Sequence, residues 1–307
     1  MSSRLSTLLL LLIALTLAQP VFALGVGVIV SQRGGLDHSV VEALKTATAN
    51  TDAQILHSVL FQDLEEHTPR DGIDLLLAIG APAVEAVVAQ GTLPVIATLV
   101  SRHQIESTLR RHPGARVSAI VLDQPELRHL GLAAALLPDV HRAGIVFGPE
   151  TVSLESRFAA AADRMRLGLD VEFIAHAGEL VPALDRLLRS SDVLLALPDS
   201  LTSSPSAARA LLLSSYRARR PVLAYSRAYV DAGALAAVYS APGDIVRDLV
   251  DWLSELADDH DALSAPPEIR SPRHYSLAVN RQVARALGLT LPSDEQILRQ
   301  IERGGAR

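Results

Sequence analysis

The chain has 307 residues, no cysteine, 49% hydrophobic residues and a formal net charge of −6. Without cysteine there can be no disulfide, thiolate metal site, thiol nucleophile or lipobox anchor. The acidic balance argues against the basic face that a nucleic-acid binder needs.

At the N-terminus, Arg4 gives a short positive region and "TLLLLLIALTLA" (Thr7–Ala18) an apolar one. Gln19 and Pro20 break the run, and Val21-Phe22-Ala23 puts small residues at a cleavage position. This pattern predicts a secretory signal over residues 1–23, cleaved after Ala23, and a periplasmic protein with no lipid anchor. The apolar run is shorter than the ~20 residues that cross a hydrocarbon core.

Apolar runs then alternate with amphipathic patterns. Strands are predicted at Gly25–Val30, Ala53–Ser58, Ile73–Ile79, Val95–Val100, Arg116–Leu122, Arg142–Phe147, Asp170–Ile174, Val193–Leu197, Pro221–Tyr225 and Leu235–Tyr239. Helices are predicted between them, at Leu36–Thr48, Ala83–Gln90, Gln104–Arg111, Glu126–Leu137, Leu154–Leu167, Leu180–Ser190, Pro205–Arg219 and Ile245–Leu256. Short apolar strands separated by helices imply βαβ units and parallel sheets covered on both faces.

The pattern restarts: "AGIVFGPETVSLESRFAAAADRM" (Ala143–Met165) repeats the strand, polar loop and helix of "VGVIVSQRGGLDHSVVEALKTA" (Val26–Ala47). An α/β fold of two Rossmann-like lobes follows, joined by several connections. The first lobe is expected to hold residues 24–122 and about 234–262. The second is expected to hold 123–233 and about 263–307. The Pro-rich Leu263–Pro272 reads as a third crossing or a hinge strand.

Several strands end in polar or glycine-containing corners, and the one at Gly80-Ala81-Pro82 carries no acid, base, thiol or serine. Val30 leads into Ser31 and Gln32, Ile79 into Gly80-Ala81-Pro82, Phe147 into Gly148-Pro149-Glu150-Thr151, and Leu197 into Pro198-Asp199-Ser200-Leu201-Thr202. Ligands of open α/β sheets sit outside the carboxyl ends of the strands, where helix N-termini offer free N–H groups. Main-chain binding of a guest between two facing rims is therefore expected. Gly, Pro, Ser and Asp are also ordinary turn and cap residues, so one such corner alone carries little. No G-x-S-x-G elbow, phosphate loop or H-E-x-x-H motif is present. His38, His57 and His67 have no ligand spacing, and Glu65-Glu66 and Asp258-Asp259 read as solvated charge. No catalytic residue, metal ligand or cofactor is predicted.

The chain resembles the ABC-transporter substrate-binding protein family of tryptophan/tyrosine type, with a type I periplasmic-binding fold. The resemblance rests on "LLLAIGAPAVEAVVAQGTLPVIATLV", "LRHLGLAAALLPDVHRAGIVFGPE" and "SDVLLALPDSLTSSPSAARALLLSSYRARRPVLAYSRAYVDAGALAAV". The most specific stretch is the tail, "YSLAVNRQVARALGLTLP" (Tyr275–Pro292). It implies a hinged monomer that closes on a small molecule and delivers it to an inner-membrane ABC permease. By position, the implied cleft residues are Ser31, Gln32, Gly80, Ala81, Pro82, Glu150, Thr151, Asp199, Ser200, Thr202 and Ser226. Departures bear on the ligand. Ala81 stands where the family has Thr, Gly148-Pro149-Glu150 stands for Asn-Pro-Ser, and "HPGARVSAIVLDQP" replaces the Gly-rich crossing. With aromatics at 4% of the chain, Tyr225 and Tyr229 are the nearest stacking platforms. Two other readings are a periplasmic sensor or accessory protein for a receptor, kinase or outer-membrane partner, and a secreted enzyme with Asp199 or Glu150 as base.

Overall fold

The computed structural model describes residues 23–64, 72–91 and 93–305. The expected signal lies outside them except for Ala23, as do His67 and the Glu65-Glu66 pair.

The first sheet contains β1 (Leu24–Val30), β2 (Ala53–Leu60), β3 (Leu75–Ile79), β4 (Val95–Thr98), β5 (Val117–Ile120) and β11 (Ile269–Arg270), in the order β11-β5-β4-β3-β1-β2. The second contains β6 (Arg142–Phe147), β7 (Gly168–Phe173), β8 (Val193–Leu195), β9 (Val222–Ala224), β10 (Ala236–Tyr239) and β12 (Ser276–Val279), in the order β12-β10-β9-β8-β6-β7. The two orders superimpose, so β1 corresponds to β6, β3 to β8, β4 to β9 and β5 to β10. Every neighbouring pair is parallel except β10 and β12.

Successive residues of a strand face opposite sides, and β3 shows it. Leu75, Leu77 and Ile79 pack with Val40, Val41 and Leu44 of helix α1 (Gly35–Thr48) and with Ile245, Leu249 and Leu253 of the late helix α10 (Pro242–Asp258). Leu76 and Ala78 pack instead with Ala83, Val84, Val87 and Val88 of α2 (Ala81–Gln90) and Ile105 of α3 (Arg102–Arg111). Both faces are thus covered, which is why β3 reads as an unbroken apolar run.

The second sheet is covered likewise. Helices α4 (Glu126–Leu136), α5 (Glu155–Met165), α11 (Arg281–Ala286) and α12 (Asp294–Gly305) lie on one face. Helices α6 (Leu180–Leu187), α8 (Pro205–Ala218) and α9 (Arg227–Asp231) lie on the other, with the short α7 (Ser200–Ser203) in the loop after β8.

The chain passes between the sheets at residues 121–125, 240–241 and 271–275. The second and third positions differ from the sequence expectation. Leu235–Tyr239, expected in the first lobe, forms β10 of the second sheet, where Leu235 N–H donates to Val222 O at 2.8 Å. The link through α9 makes a short βαβ crossover that returns β10 beside β9. Conversely Ile269–Arg270, expected in the second lobe, joins the first: Ala119 N–H donates to Glu268 O at 2.9 Å.

Side chains tie the three crossings together. Gln124 Nε2 donates to Ser240 Oγ at 2.9 Å, and Arg128 donates to Pro272 O at 3.1 Å. The Arg128 guanidinium also lies 3.9 Å over the Tyr275 ring, a cation–π contact. From α10, Asp248 accepts from the backbone N–H of Arg273 and His274, and its Oδ1 lies 2.8 Å from His274 Nδ1.

Candidate functional site

Each lobe has a corner where two neighbouring strands end, and each corner is closed by its own chain. In the first lobe, Ser31 after β1 reaches the corner after β3. Its hydroxyl donates to Ile79 O at 2.8 Å and accepts from Ala83 N–H at 3.0 Å, at the start of α2. Gly80, at φ +88°, makes room: a Cβ there would lie 2.5 Å from Ser31 Oγ. A helix N-terminus expected to hold a ligand thus already holds a serine. The neighbouring Gln32 N–H donates to buried Asp37 at 3.3 Å.

In the second lobe the reach runs the other way, from the β8 corner to the β6 loop. Asp199, only 1% exposed, accepts at Oδ2 from Glu150 N–H and Thr151 Oγ1, both at 3.0 Å, and at Oδ1 from Leu201 N–H at 3.0 Å. Its carboxylate occupies the space that a Cβ on Gly148 would take. Thr151 and Thr202 are 2% exposed. Thr202 Oγ1 donates to Leu197 O at 2.9 Å, and Thr151 Oγ1 accepts from Gly148 N–H at 3.0 Å. Both threonines hold loops rather than present hydroxyls.

Between the lobes lies a cavity of about 480 Å³. Glu150, Asp199, Ser200 and Ser226 of the sequence-predicted set line it. Ser31, Gly80, Ala81, Pro82, Thr151 and Thr202 do not, and Gln32 borders a separate surface hollow with Arg33, His38 and Asp63. The first lobe contributes Leu36 of α1, then Ser101, Arg102 and Gln104 after β4, and Leu122 and Asp123 after β5. The second contributes the ends of β6, β8, β9 and β10, with Glu126 and His129 of α4 and Leu154, Arg157 and Phe158 from and beside α5. Gln124, Ser240 and Ser271 of the crossings complete it. The sheet order explains the offset. β4 and β5 lie toward the crossings, whereas β1 and β3 lie toward the far edge.

Sequence reasoning missed Arg102, Asp123, His129, Arg157 and Phe158. One usable signal was the Ser101-x-x-Gln104 spacing, a capping box. Ser101 Oγ accepts from Gln104 N–H at 3.2 Å and Gln104 Oε1 from Ser101 N–H at 2.8 Å, which fixes Arg102 at the rim.

The charges in the cavity are unevenly engaged. Arg157 Nε lies 2.9 Å from Glu126 Oε1, a closed pair. The Arg102 guanidinium meets Glu106 only at 3.9 Å. Asp123 accepts from Arg102 N–H at 2.7 Å, yet burial holds its carboxyl above the usual carboxylate range, against the pull of that bond. The Glu150 carboxylate has no hydrogen bond or ion pair among the described residues. His129 is 4% exposed, and its ring centroid lies 6.0 Å from that of Phe158. Burial, aided by Arg128, pushes His129 down to about 4, so its imidazole is neutral at neutral pH. Tyr225, also on the second lobe's wall, packs edge-on against Tyr229 at 5.6 Å, and Tyr229 OH donates to Thr202 O at 3.3 Å. Burial raises the Tyr229 phenol.

Among the described residues, no group of three or more His, Cys, Asp or Glu could hold a metal ion, and no helix is long and apolar enough to cross a membrane. The arrangement offers a mixed surface for a guest: leucines and aromatic rings for an apolar body, and a few polar groups to orient it.

A family profile described as "ABC transporter substrate binding protein" matches residues 34–299, and the chain belongs to that family. No curated protein matches it. Among solved structures it is similar to a substrate binding protein with adhesive properties from Clostridium difficile in its ligand-free, open form, with TM-score 0.68, 18% identity and coverage of 89% of this chain and 97% of that one. A conserved domain protein from Vibrio cholerae gives TM-score 0.60 at 20% identity, covering 91% and 98% of the two chains. An ABC domain from Streptococcus pneumoniae in complex with L-Trp gives TM-score 0.58 at 18% identity, covering 90% and 98%. At these identities the likeness shows the fold, a two-lobe periplasmic-binding-protein architecture.

Proposed function

We propose that this chain is the periplasmic solute-binding component of an ABC uptake system, taking a small organic solute between its lobes and presenting it to an inner-membrane permease. The observation that carries the reading is the 480 Å³ cavity built from strand ends of both sheets and from the crossing segments. A guest there touches both lobes at once, so it favours whichever closure brings the walls together, and its differential affinity shifts the open–closed population. The chemistry favours binding over turnover. Asp199, the first candidate base, has both oxygens engaged by loop donors.

A thermal-shift screen of the mature chain against amino acids, small organic acids and sugars tests the reading. A ligand at a hundred times its Kd stabilises by about 2.7 kcal/mol, and small-angle scattering then shows a more compact particle. No stabilisation across the screen overturns the proposal. Binding without stimulation of the ATPase of a reconstituted cognate permease favours the sensor or accessory role instead.

A further inference from the structure

Among the described residues, His129 is the histidine that lines the cavity. It sits in the first turns of α4, 4% exposed, with its ring against Phe158. Its imidazole has no hydrogen-bond partner among the described residues. A buried polar group is ordinarily bonded, and one left without a protein partner beside a cavity is satisfied by what enters it. Neighbouring chemistry fixes what can enter. Arg128 stands next in the chain and Glu126, a turn earlier, is closed on Arg157, so burial and the adjacent cation keep the imidazole neutral. The ring is therefore one donor and one acceptor without charge. On the first lobe's wall of the same cavity, Arg102 is a cation whose ion-pair partner Glu106 is 3.9 Å away.

Resting on the receptor reading above, we propose that the cleft selects a small carboxylate bearing, away from the carboxylate, a neutral hydroxyl or amide, and that His129 is the residue that reads this neutral group. Arg102 takes the carboxylate, and Leu36, Leu154 and Phe158, which line the same cavity, cover the apolar part. A charged group at the His129 end is disfavoured, because neutral imidazole cannot repay the desolvation of an ion. A plain apolar group is disfavoured because it leaves the imidazole unbonded.

Matched pairs of probes test this by titration calorimetry: L-tyrosine with L-phenylalanine, L-glutamine with L-glutamate, and 4-hydroxybenzoate with benzoate. The wild type is expected to bind the neutral polar member of at least one pair about tenfold or more tighter than its mate. His129→Phe is expected to reduce that ratio to about threefold or less. His129→Gln, which keeps a donor and an acceptor, is expected to retain it. A change of ratio separates recognition from a general loss of fold, since unfolding weakens both members alike. Wild-type binding with no preference, preference for the charged or apolar member, or a preference that survives in His129→Phe overturns the inference and leaves the receptor reading standing. Failure of all six probes to bind the wild type overturns the inference, whereas the receptor reading falls only if the broader thermal-shift screen is also blank.

Discussion

The β1/β3 corner and the β6/β8 corner occupy corresponding places in the two sheets and are locked in opposite directions. In the first lobe a hydroxyl from the β1 loop reaches across to the β3 corner. In the second a carboxylate from the β8 corner reaches back to the β6 loop. Gly80 and Gly148 are each there because a partner's side chain fills the volume of a Cβ. The difference lies in what fills it. Ser31 is a small neutral group joining two backbone atoms. Asp199 is a fully buried charge holding three donors, and buried charges are costly to leave unpaired or to remove from their partners. The corners use the same device at unequal stakes, and in both it takes up main-chain donors: Ala83 N–H in the first, Glu150 and Leu201 N–H in the second.

The comparison predicts unequal losses. Asp199→Ala is expected to be the most damaging change, because it strands the N–H groups of Glu150 and Leu201 and the hydroxyl of Thr151. A loss of about 4 kcal/mol in urea unfolding is expected, and a loss below that of Ser31→Ala would break the asymmetry. Acid should also weaken the second lobe first, through His129. Its folded pKa of about 4 lies below the usual value near 6.5, so the neutral form stabilises the fold above pH 6.5. That contribution is lost as pH falls from 6.5 to 4, while the unfolded chain binds a proton that the folded chain does not. The loss is about 3 kcal/mol over that window. Unfolding of the wild type and His129→Phe at pH 7 and pH 4.5 checks it, since the variant should lack this part of the slope.

Gly80→Ala combines a left-handed backbone with a clash against Ser31 and should cost about 2 kcal/mol. Adding Ser31→Gly should recover only the steric part, so the two changes should be non-additive in a double-mutant cycle. Ser31→Ala, the mildest, should cost about 1 kcal/mol, as for loss of a helix cap.

The alternation of strand and helix was legible because β1, β3 and β6 are buried on both faces and so appear as apolar runs. The corners were legible as places but not in purpose. Ser31 meets Ala83 across 52 positions and Asp199 meets Glu150 across 49, and no local pattern reports such pairings. His129 carries no local signal, because its place comes from a cavity wall assembled from distant segments. The lobe assignment of β10 escaped because the turn back to the first sheet is written in Ala241-Pro242-Gly243, after the strand rather than before it.

Helix α10 carries a consequence for biogenesis. It supplies Ile245, Leu249, Trp252 and Leu253 to the core of the first sheet, yet it is synthesised after five strands of the second. Until the ribosome has passed Asp258, the half of the molecule made first has one apolar face covered only in part, by α1. A late keystone of this kind keeps a nascent polypeptide open and threadable for longer.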